Sequence, residues 1–388
     1  MVEPLRVLMV CPQFRPLIGG YEQAAERLGL ELSRRGLEVT VVTERRDPSW
    51  PAREMLDRMP IRRLYSSNRR RMQTLSGILS LSLYLFFEGW RFDVIHVHRY
   101  GWPSSLAILF GMLARRPVVL KLTSTGPQGI RATLGRLPGR TLHLGLHRHL
   151  SACIATSRRA SEEMVGIGLD ASRVHLIPNG LDTEAFAPPS VESRAQARLK
   201  LQLDDSPLVL TVCQMRPEKC LPLLLDAWVR VRRRIPEARL AIVGDGNEMS
   251  KLREQAERLN LDSSLLLPGR SSDPRPWYQA ADLYVLSSVN EGLSNSLMEA
   301  LSSGLPVVST RVSGSEDIVE AADTGLLVPV NDEAAMGEAI FELLDDPERA
   351  KACGIRASEY ATSHFRLESV AEKVAKLYSD LQAGRFGR

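Results

Sequence analysis

Short, nearly continuous apolar runs recur along this chain, and between them lie stretches with apolar positions at three- and four-residue spacing. The first run is Leu5–Val10, a pattern suited to a strand covered on both faces. A loop holding Gly19 and Gly20 follows. From Tyr21 to Arg35, the residues Ala24, Ala25, Leu28 and Leu32 share one helical face, with Gly36 placed to end the helix. Further strands are predicted at Glu38–Val42, Asp93–Val97, Pro117–Leu122, Ala152–Ala155 and Val174–Ile177. The pattern then restarts, with strands at Leu208–Val212, Arg239–Val243, Ser264–Leu267, Leu283–Leu286, Pro306–Ser309 and Leu326–Val328. Strands alternating with helices imply a doubly wound parallel sheet, and the restart implies two of them. Two such α/β domains facing each other make a cleft, with functional residues expected in the loops just after strands.

On this reading residues 1–186 form the first domain and 187–206, with Pro188 and Pro189, the connection. Residues 207–364 form the second domain. Residues 365–388 form a terminal helical segment with Val370, Val374, Leu377 and Leu381 on one stripe. The longest apolar stretch, Leu75 to Phe87, is broken by Ser76, Gly77, Ser80 and Ser82 and is too short to span a bilayer. It fits a core helix or, with Arg69, Arg70 and Arg71 before it, an interfacial contact with a membrane.

Composition narrows the class. Apolar residues are 44% and charged residues 25% of the 388, which fits globular domains and excludes long disorder, collagen and coiled coil. Five cysteines, none in a C-x-x-C pair, argue against a disulfide scaffold or structural zinc and for a reducing compartment. The start MVEPLRVLMVCP lacks a basic n-region and a cleavage site, so no signal peptide is expected and a cytoplasmic setting is. The net charge of +4 is uneven: residues 1–186 carry 26 Lys and Arg against 16 Asp and Glu, and the remainder 24 against 30. The basic half either meets anions or is a solvated Arg-rich face.

The most informative motif is Glu291-Gly-Leu-Ser-Asn-Ser-Leu-Met-Glu299, after the strand Leu283–Leu286. Ser294 and Asn295 are good N-cap residues, and a free helix N-terminus suits a phosphate group. Glu291 in the loop and Glu299 on the helix can hold sugar hydroxyls on either side of it. The alternative is a capped helix with two surface glutamates. Arg216-Pro-Glu-Lys219 follows the strand Leu208–Val212 and can neutralise a diphosphate, or form an ordinary turn. Gly19-Gly20 allows close backbone approach to a ligand, or a plain turn. Gly244-Asp-Gly246 lacks the third glycine of a dinucleotide fingerprint. His96 and His98 end a strand on the same face, and His98 can reach the cleft, although a structural role fits both. His143, His147 and His149 have no acidic neighbour, so no metal site is expected. Neither a nucleophile elbow nor a P-loop occurs.

Taken together, these segments resemble the retaining glycosyltransferases of family 4, which have the GT-B fold. The likeness runs through the Gly19-Gly20 loop, Asp93–His98, Ile177–Asp182 with Phe186, Arg216–Lys219, Val243–Gly246, Ala280–Ser288, Glu291–Val308 and Thr324–Val328, in matching order and spacing. The resemblance implies a nucleotide-diphosphate-sugar donor on the C-terminal domain, UDP- or GDP-linked, and an acceptor on the N-terminal one. It implies that Glu291 holds donor-sugar hydroxyls and Glu299 the ribose. Lys219 would bind the diphosphate, helped by amides near Leu293, Ser294, Asn295 and Ser296 and by Gly19 and Gly20. Arg270 matches the region lining the base. No metal and no resident cofactor are expected, and the terminal helix of such enzymes crosses back to the N-terminal domain. This chain departs from the family at three places. Cys213-Gln214 stands where Gly-Arg is usual, with Arg216 the neighbouring cation. Cys220 replaces the glycine after the lysine, and Thr123 replaces a histidine after the strand Pro117–Leu122.

The expected activity is retaining transfer of a hexose-type sugar to a saccharide or lipid-linked acceptor, in cell-envelope polysaccharide assembly. Catalytic roles are expected for Glu291, Lys219, Thr123 and His98. A peripheral contact with an anionic membrane at its inner face is a further expectation; nucleic acid is not. The rival readings are a nucleotide-sugar epimerase or hydrolase, and a degenerate protein that binds nucleotide-sugar without efficient transfer.

Overall fold

The apolar runs are strands because both of their faces are covered. The computed structural model describes residues 3–17, 19–122 and 124–384, which fall into two units. Unit 1 is residues 1–180 and 367–388, and unit 2 is residues 181–366. The unit 1 strands are β1 (Arg6–Val10), β2 (Glu38–Arg45), β3 (Arg53–Leu56), β4 (Met59–Tyr65), β5 (Val94–Val97), β6 (Val118–Lys121), β7 (Ala152–Ala155) and β8 (Val174–Leu176), in the order β3-β4-β2-β1-β5-β6-β7-β8. Within β1, Val7 and Met9 point into one core and Leu8 and Val10 into the other. The first core is closed by helix α1 (Gly20–Arg34) and by the terminal helix Leu367–Gln382, whose Val370, Val374, Leu377 and Tyr378 are buried there. The second core is closed in part by α2 (Arg70–Glu88) and α3 (Trp102–Ala114).

Unit 2 holds β9 (Leu208–Val212), β10 (Arg239–Val243), β11 (Leu265–Gly269), β12 (Leu283–Leu286), β13 (Val307–Thr310) and β14 (Gly325–Val328), all parallel, in the order β11-β10-β9-β12-β13-β14. The chain leaves its first strand toward one edge and later returns to its other side. The resulting switch points lie between β1 and β5 in unit 1 and between β9 and β12 in unit 2.

The same device fixes the opposite end of both sheets. Asp93, just before β5, accepts from the Arg6 backbone N at 3.0 Å and from its guanidinium at 3.0 and 3.1 Å. Burial disfavours the Asp93 carboxylate, but its bonds to Arg6 outweigh that and hold its pKa below the usual range. Asp282, just before β12, likewise accepts from Leu208 N at 2.8 Å and from Arg198 at 2.8 Å. Residues 187–206, read from sequence as a connection, contain the helix Val191–Lys200 and are fastened into unit 2 by Arg198. Its buried guanidinium also donates to the carbonyls of Ala280 and Ser206 at 3.1 and 3.0 Å.

One element differs from the sequence reading, and for another one of the two readings left open does not hold. The antiparallel hairpin β3–β4 was not anticipated. On β4 the buried positions are Met59, Ile61 and Arg63, and the arginine breaks the apolar alternation. It is tolerated because its guanidinium donates to Glu54 and to the Arg15 carbonyl, at 2.5 and 2.9 Å. Helix α2 is not a fully buried core helix: Leu81 and Leu85 are buried, while Leu75, Leu79 and Phe86 are more than 60% exposed.

Candidate active site

The switch point of unit 2 gathers the sequence motifs. After β9 the chain runs through Cys213 to Lys219, and after β12 through Ser287 to Glu291. The Lys219 Nζ donates to Glu291 Oε1, joining the two loops by an ion pair with both side chains less than a fifth exposed. Ser288 Oγ donates to the same carboxylate oxygen at 2.9 Å, and Ser287 Oγ donates to the Lys219 carbonyl at 2.7 Å. Val289 N donates to the Glu218 carbonyl at 2.9 Å. Burial works against the ammonium of Lys219, but the Glu291 carboxylate overcomes it, and the pKa lies above that of an ordinary lysine. Lys219 is therefore a permanent cation at neutral pH. The neighbouring Cys213 thiol is pushed up to about 11 by burial and is inert as a nucleophile.

The helix Asn295–Ser302 begins three residues beyond the Glu291–Gly292 turn. Ser294 caps it, its Oγ accepting from Leu297 N at 3.4 Å. Gly314 presses against the turn so closely that an added Cβ would lie 2.2 Å from the Gly292 carbonyl oxygen. Glu299 is 6% exposed, and its Oε2 accepts from the Tyr278 hydroxyl at 3.0 Å. Tyr284 donates to Ser296 Oγ at 2.7 Å, and Ser294 and Ser296 hydroxyls are 3.0 Å apart. Leu293, Asn295 and Ser296 are partly exposed along this turn. A row of hydroxyls and two acids thus surrounds a helix N-terminus, an arrangement able to receive an anion with a polyol on each side.

The pair Gly244 and Gly246 of unit 2 has a backbone role. Gly244 sits at φ +144°, and an added Cβ would lie 1.8 Å from the Cys213 carbonyl oxygen. This close approach holds the Cys213–Met215 segment, with Cys213 N bonded to Val243 O at 3.0 Å and Met215 N to Asp245 O at 2.9 Å. Gln214 and Arg216 are exposed beside it. Arg216 comes no nearer than 3.9 Å to Glu218. Arg270 is exposed and follows β11, whose last residue, Gly269, accepts from Gly244 N at 2.9 Å.

The remaining expected residues lie in unit 1. Gly19 is the N-cap of α1, where the Glu22 carboxylate folds back so far that a Cβ on Gly19 would meet it at 2.5 Å. Gly20 is the first residue of that helix. His98 does not present its ring to solvent: it is 1% exposed, tilted against the His96 ring with centroids 4.1 Å apart, and burial drives its pKa well down. Alternation along β5 turns both rings toward the core closed by the terminal helix, where Tyr378 meets His96 Nδ1 at 2.5 Å. Thr123 lies outside the described residues. His143 and His147 are held by Ser105 and Ser104 at 2.6 and 2.8 Å, and among the described residues no three His, Cys, Asp or Glu side chains gather as a metal set.

Sequence reasoning missed Ser287, Ser288, Tyr278 and Tyr284. The two serines had a signal, since they directly follow a strand that flanks the switch point. The two tyrosines had none, because only packing brings them to the 294–299 turn.

With this geometry in hand, comparison with known proteins is specific. Structures of two very different proteins share the fold across nearly the whole chain. A sucrose-phosphate synthase from Thermosynechococcus elongatus superposes with a TM-score of 0.82 at 24% identity, over 98% of this chain and all of the other. Anabaena HepE, solved with UDP and glucose, gives 0.80 at 20% identity over 97% of this chain and all of the other. The fold is GT-B, with two Rossmann-like units. The family models described as Glycosyltransferase Family 4 and Glycosyl transferases group 1 match residues 18–185 and 206–346. This chain belongs to that glycosyltransferase family. Among curated relatives, a GDP-mannose-dependent alpha-(1-6)-phosphatidylinositol monomannoside mannosyltransferase of Mycolicibacterium smegmatis is 28% identical over 98% of this chain and the whole of the relative. The lipopolysaccharide core mannosyltransferase LpsB of Rhizobium meliloti is 28% identical over 61% of this chain and 67% of its own.

Proposed function

We propose that this protein transfers a hexose-type sugar, with retention at the anomeric carbon, from a nucleotide-diphosphate sugar to a saccharide or lipid-linked acceptor in cell-envelope polysaccharide assembly. The observation that carries the proposal is the Lys219–Glu291 pair at the switch point of unit 2, next to the helix N-terminus at Ser294. When a donor binds, its diphosphate takes the place of Glu291 as partner of Lys219. Glu291 is released to a sugar hydroxyl, and Ser288 keeps it oriented. Amides at Leu293 to Ser296 receive phosphate oxygens. Glu299, fixed by Tyr278, accepts from the ribose hydroxyls. Gln214, Arg216 and Arg270 complete the donor side.

In retaining transfer at such a site the departing phosphate oxygen takes the acceptor proton on the same face of the sugar. The task of the protein is then to stabilise charge on the leaving diphosphate. Lys219, Arg216 and the helix end supply that charge, so the reaction proceeds without a divalent metal. The relatives named above use GDP-mannose or act on lipid-borne saccharides according to their names, which supports a membrane-derived acceptor.

The test begins with a thermal-shift panel of UDP-, GDP- and ADP-sugars, followed by transfer of labelled sugar in the presence of chelator. One nucleotide series stabilises the wild type, and transfer yields a product of unchanged anomeric configuration. Release of free sugar or an epimer in the absence of acceptor favours the hydrolase or epimerase reading. No shift with any nucleotide removes the assignment.

A further inference from the structure

Two tyrosines reach the 294–299 turn from the interior of unit 2, and they do different things there. Tyr278, on the helix Arg275–Ala280, and Tyr284, on β12, are both 0% exposed, with ring centroids 6.2 Å apart. Tyr278 donates to the Glu299 carboxylate at 3.0 Å. Tyr284 donates instead to a hydroxyl, Ser296 Oγ, at 2.7 Å. A buried phenol must find a partner, whereas a phenylalanine fills the same space without needing one. The Tyr284 hydroxyl thus adds nothing to the packing of the core, and what it does add lies beyond Ser296.

A count of protons identifies that contribution. Each hydroxyl carries one proton and accepts through its oxygen. Tyr284, Ser296 and Ser294 bring three protons, but they make only two contacts with one another: Tyr284 to Ser296, and Ser296 with Ser294 at 3.0 Å. One proton is therefore surplus. Tyr284 stands at the buried end and gives its proton to Ser296, so the surplus leaves at the other end of the line. A head-to-tail order, Tyr284 to Ser296 to Ser294, is favoured over two donors converging on Ser296 Oγ, because hydroxyls aligned in one direction polarise one another. Ser294 Oγ also accepts from Leu297 N at 3.4 Å as the cap of the helix Asn295–Ser302. Its oxygen is then filled as an acceptor, and its proton meets no acceptor among the described residues. Ser294 is only 6% exposed, so a strengthened donor is held at the helix N-terminus with little access to water. The group that fits it is one that only accepts, as phosphate oxygens do.

We infer that Tyr284 and Ser296 are positioning residues for the donor diphosphate: they hold the Ser294 hydroxyl with its proton outward, and Ser294 donates that proton to a phosphate oxygen. This rests on the transferase reading above and adds to it a side-chain donor whose direction is set from inside the core. Lys219 and the helix end supply charge, and the hydroxyl line supplies orientation. The line gives nothing to a nucleoside, which has no phosphate oxygen to receive the proton. Tyr278 acts through Glu299 on the ribose and does not distinguish the two.

The affinities of the full chain for UDP, GDP and ADP are measured by calorimetry, and those for uridine, guanosine and adenosine by competition. The wild type should bind one diphosphate more tightly than its nucleoside. Tyr284→Phe should weaken that diphosphate about fivefold, the worth of one hydrogen bond, and leave the nucleoside unchanged. Ser296→Ala breaks the line at its middle and should show the same selectivity. Tyr278→Phe should weaken both ligands by the same factor. Ser294→Gly removes the hydroxyl while keeping most of the cap, and should weaken the diphosphate at least about tenfold. The double variant Tyr284→Phe, Ser294→Gly should bind the diphosphate as Ser294→Gly does, since the tyrosine acts only through that hydroxyl. Melting temperatures of the unliganded variants establish that each is folded. An unchanged diphosphate affinity in both Tyr284→Phe and Ser296→Ala overturns the inference. So does an equal loss for nucleoside and diphosphate, which makes Tyr284 a packing residue, or a double variant in which the two losses multiply. A wild type that binds none of the three diphosphates sinks the transferase reading and this inference with it, whereas tight wild-type binding combined with any of the preceding results sinks this inference alone.

Discussion

Each unit places a lysine near the switch point of its sheet, and the two are driven in opposite directions. Lys121 ends β6 of unit 1 and is 3% exposed. Burial lowers its pKa to about 8, with Cys11 its main electrostatic neighbour. Lys219 of unit 2 is also largely buried, yet its pKa is raised, because Glu291 faces it directly. Burial alone makes a lysine shed its proton near neutrality, whereas one carboxylate in contact makes the charge permanent. Only the second arrangement suits the role proposed for Lys219, holding a leaving diphosphate at every turnover. It also keeps the cation in place while the donor is absent.

The largest effect should come from destroying the paired lysine. Lys219→Met removes a charge-assisted contact worth roughly 1.5–3 kcal/mol to a bound diphosphate, and nucleotide affinity measured by calorimetry should fall about 10- to 100-fold. The variant should also melt earlier than wild type, by about 1–3 kcal/mol of stability, because Glu291 keeps its burial and loses its partner. The contribution of the pair to stability is fully present below the unfolded lysine pKa of about 10.4 and is lost as pH rises through the higher folded value. A variant with unchanged affinity would mean that Lys219 does not touch the diphosphate.

The lone lysine should respond with the opposite sign. Lys121→Met should stabilise the protein by roughly 1–3 kcal/mol at pH 7, since an unpaired buried charge is replaced by an apolar side chain of similar length. Between about 8 and 10.4 the unfolded wild type binds more protons than the folded form at this site, so wild-type stability rises with pH there. The advantage of the variant should therefore be greatest below about pH 8 and fade above about 10.4. Denaturant melts across that range would read it, and a destabilised variant would show that Lys121 has a strong partner.

A smaller change is expected from Tyr278→Phe, which leaves Glu299 without its 3.0 Å donor. One hydrogen bond of about 1 kcal/mol predicts roughly fivefold weaker donor binding with little change in the rate at saturation. The smallest is Cys220→Gly. Cys220 sits at φ +50°, a left-handed conformation in which glycine carries no penalty. The gain should be under about 1 kcal/mol, because glycine also loses more backbone entropy on folding. A melting temperature that falls would show that the 3.7 Å contact of the thiol with Asn331 outweighs the strain.

Much of the fold could be read from the chain because its strands are buried on both faces and so appear as near-continuous apolar runs. Ala152–Ala155, Leu208–Val212, Arg239–Val243 and Leu283–Leu286 coincide with the observed strands. The site was legible where a motif follows a strand directly, as Arg216–Lys219 and Glu291–Glu299 do. The hairpin β3–β4 was not, since Arg63 occupies a core-facing position that pattern alone assigns to an apolar residue.

The order of strands and helices, the two-unit plan and the placement of Glu291 and Lys219 after their strands were determined by sequence, through local periodicity and the geometry of strand ends. Only the tertiary structure decided that these two residues meet, that Tyr278 steadies Glu299, that His98 is buried, and that half of α2 is left bare. Those outcomes depend on which surfaces come to face each other, a property of the packed chain that no single segment encodes.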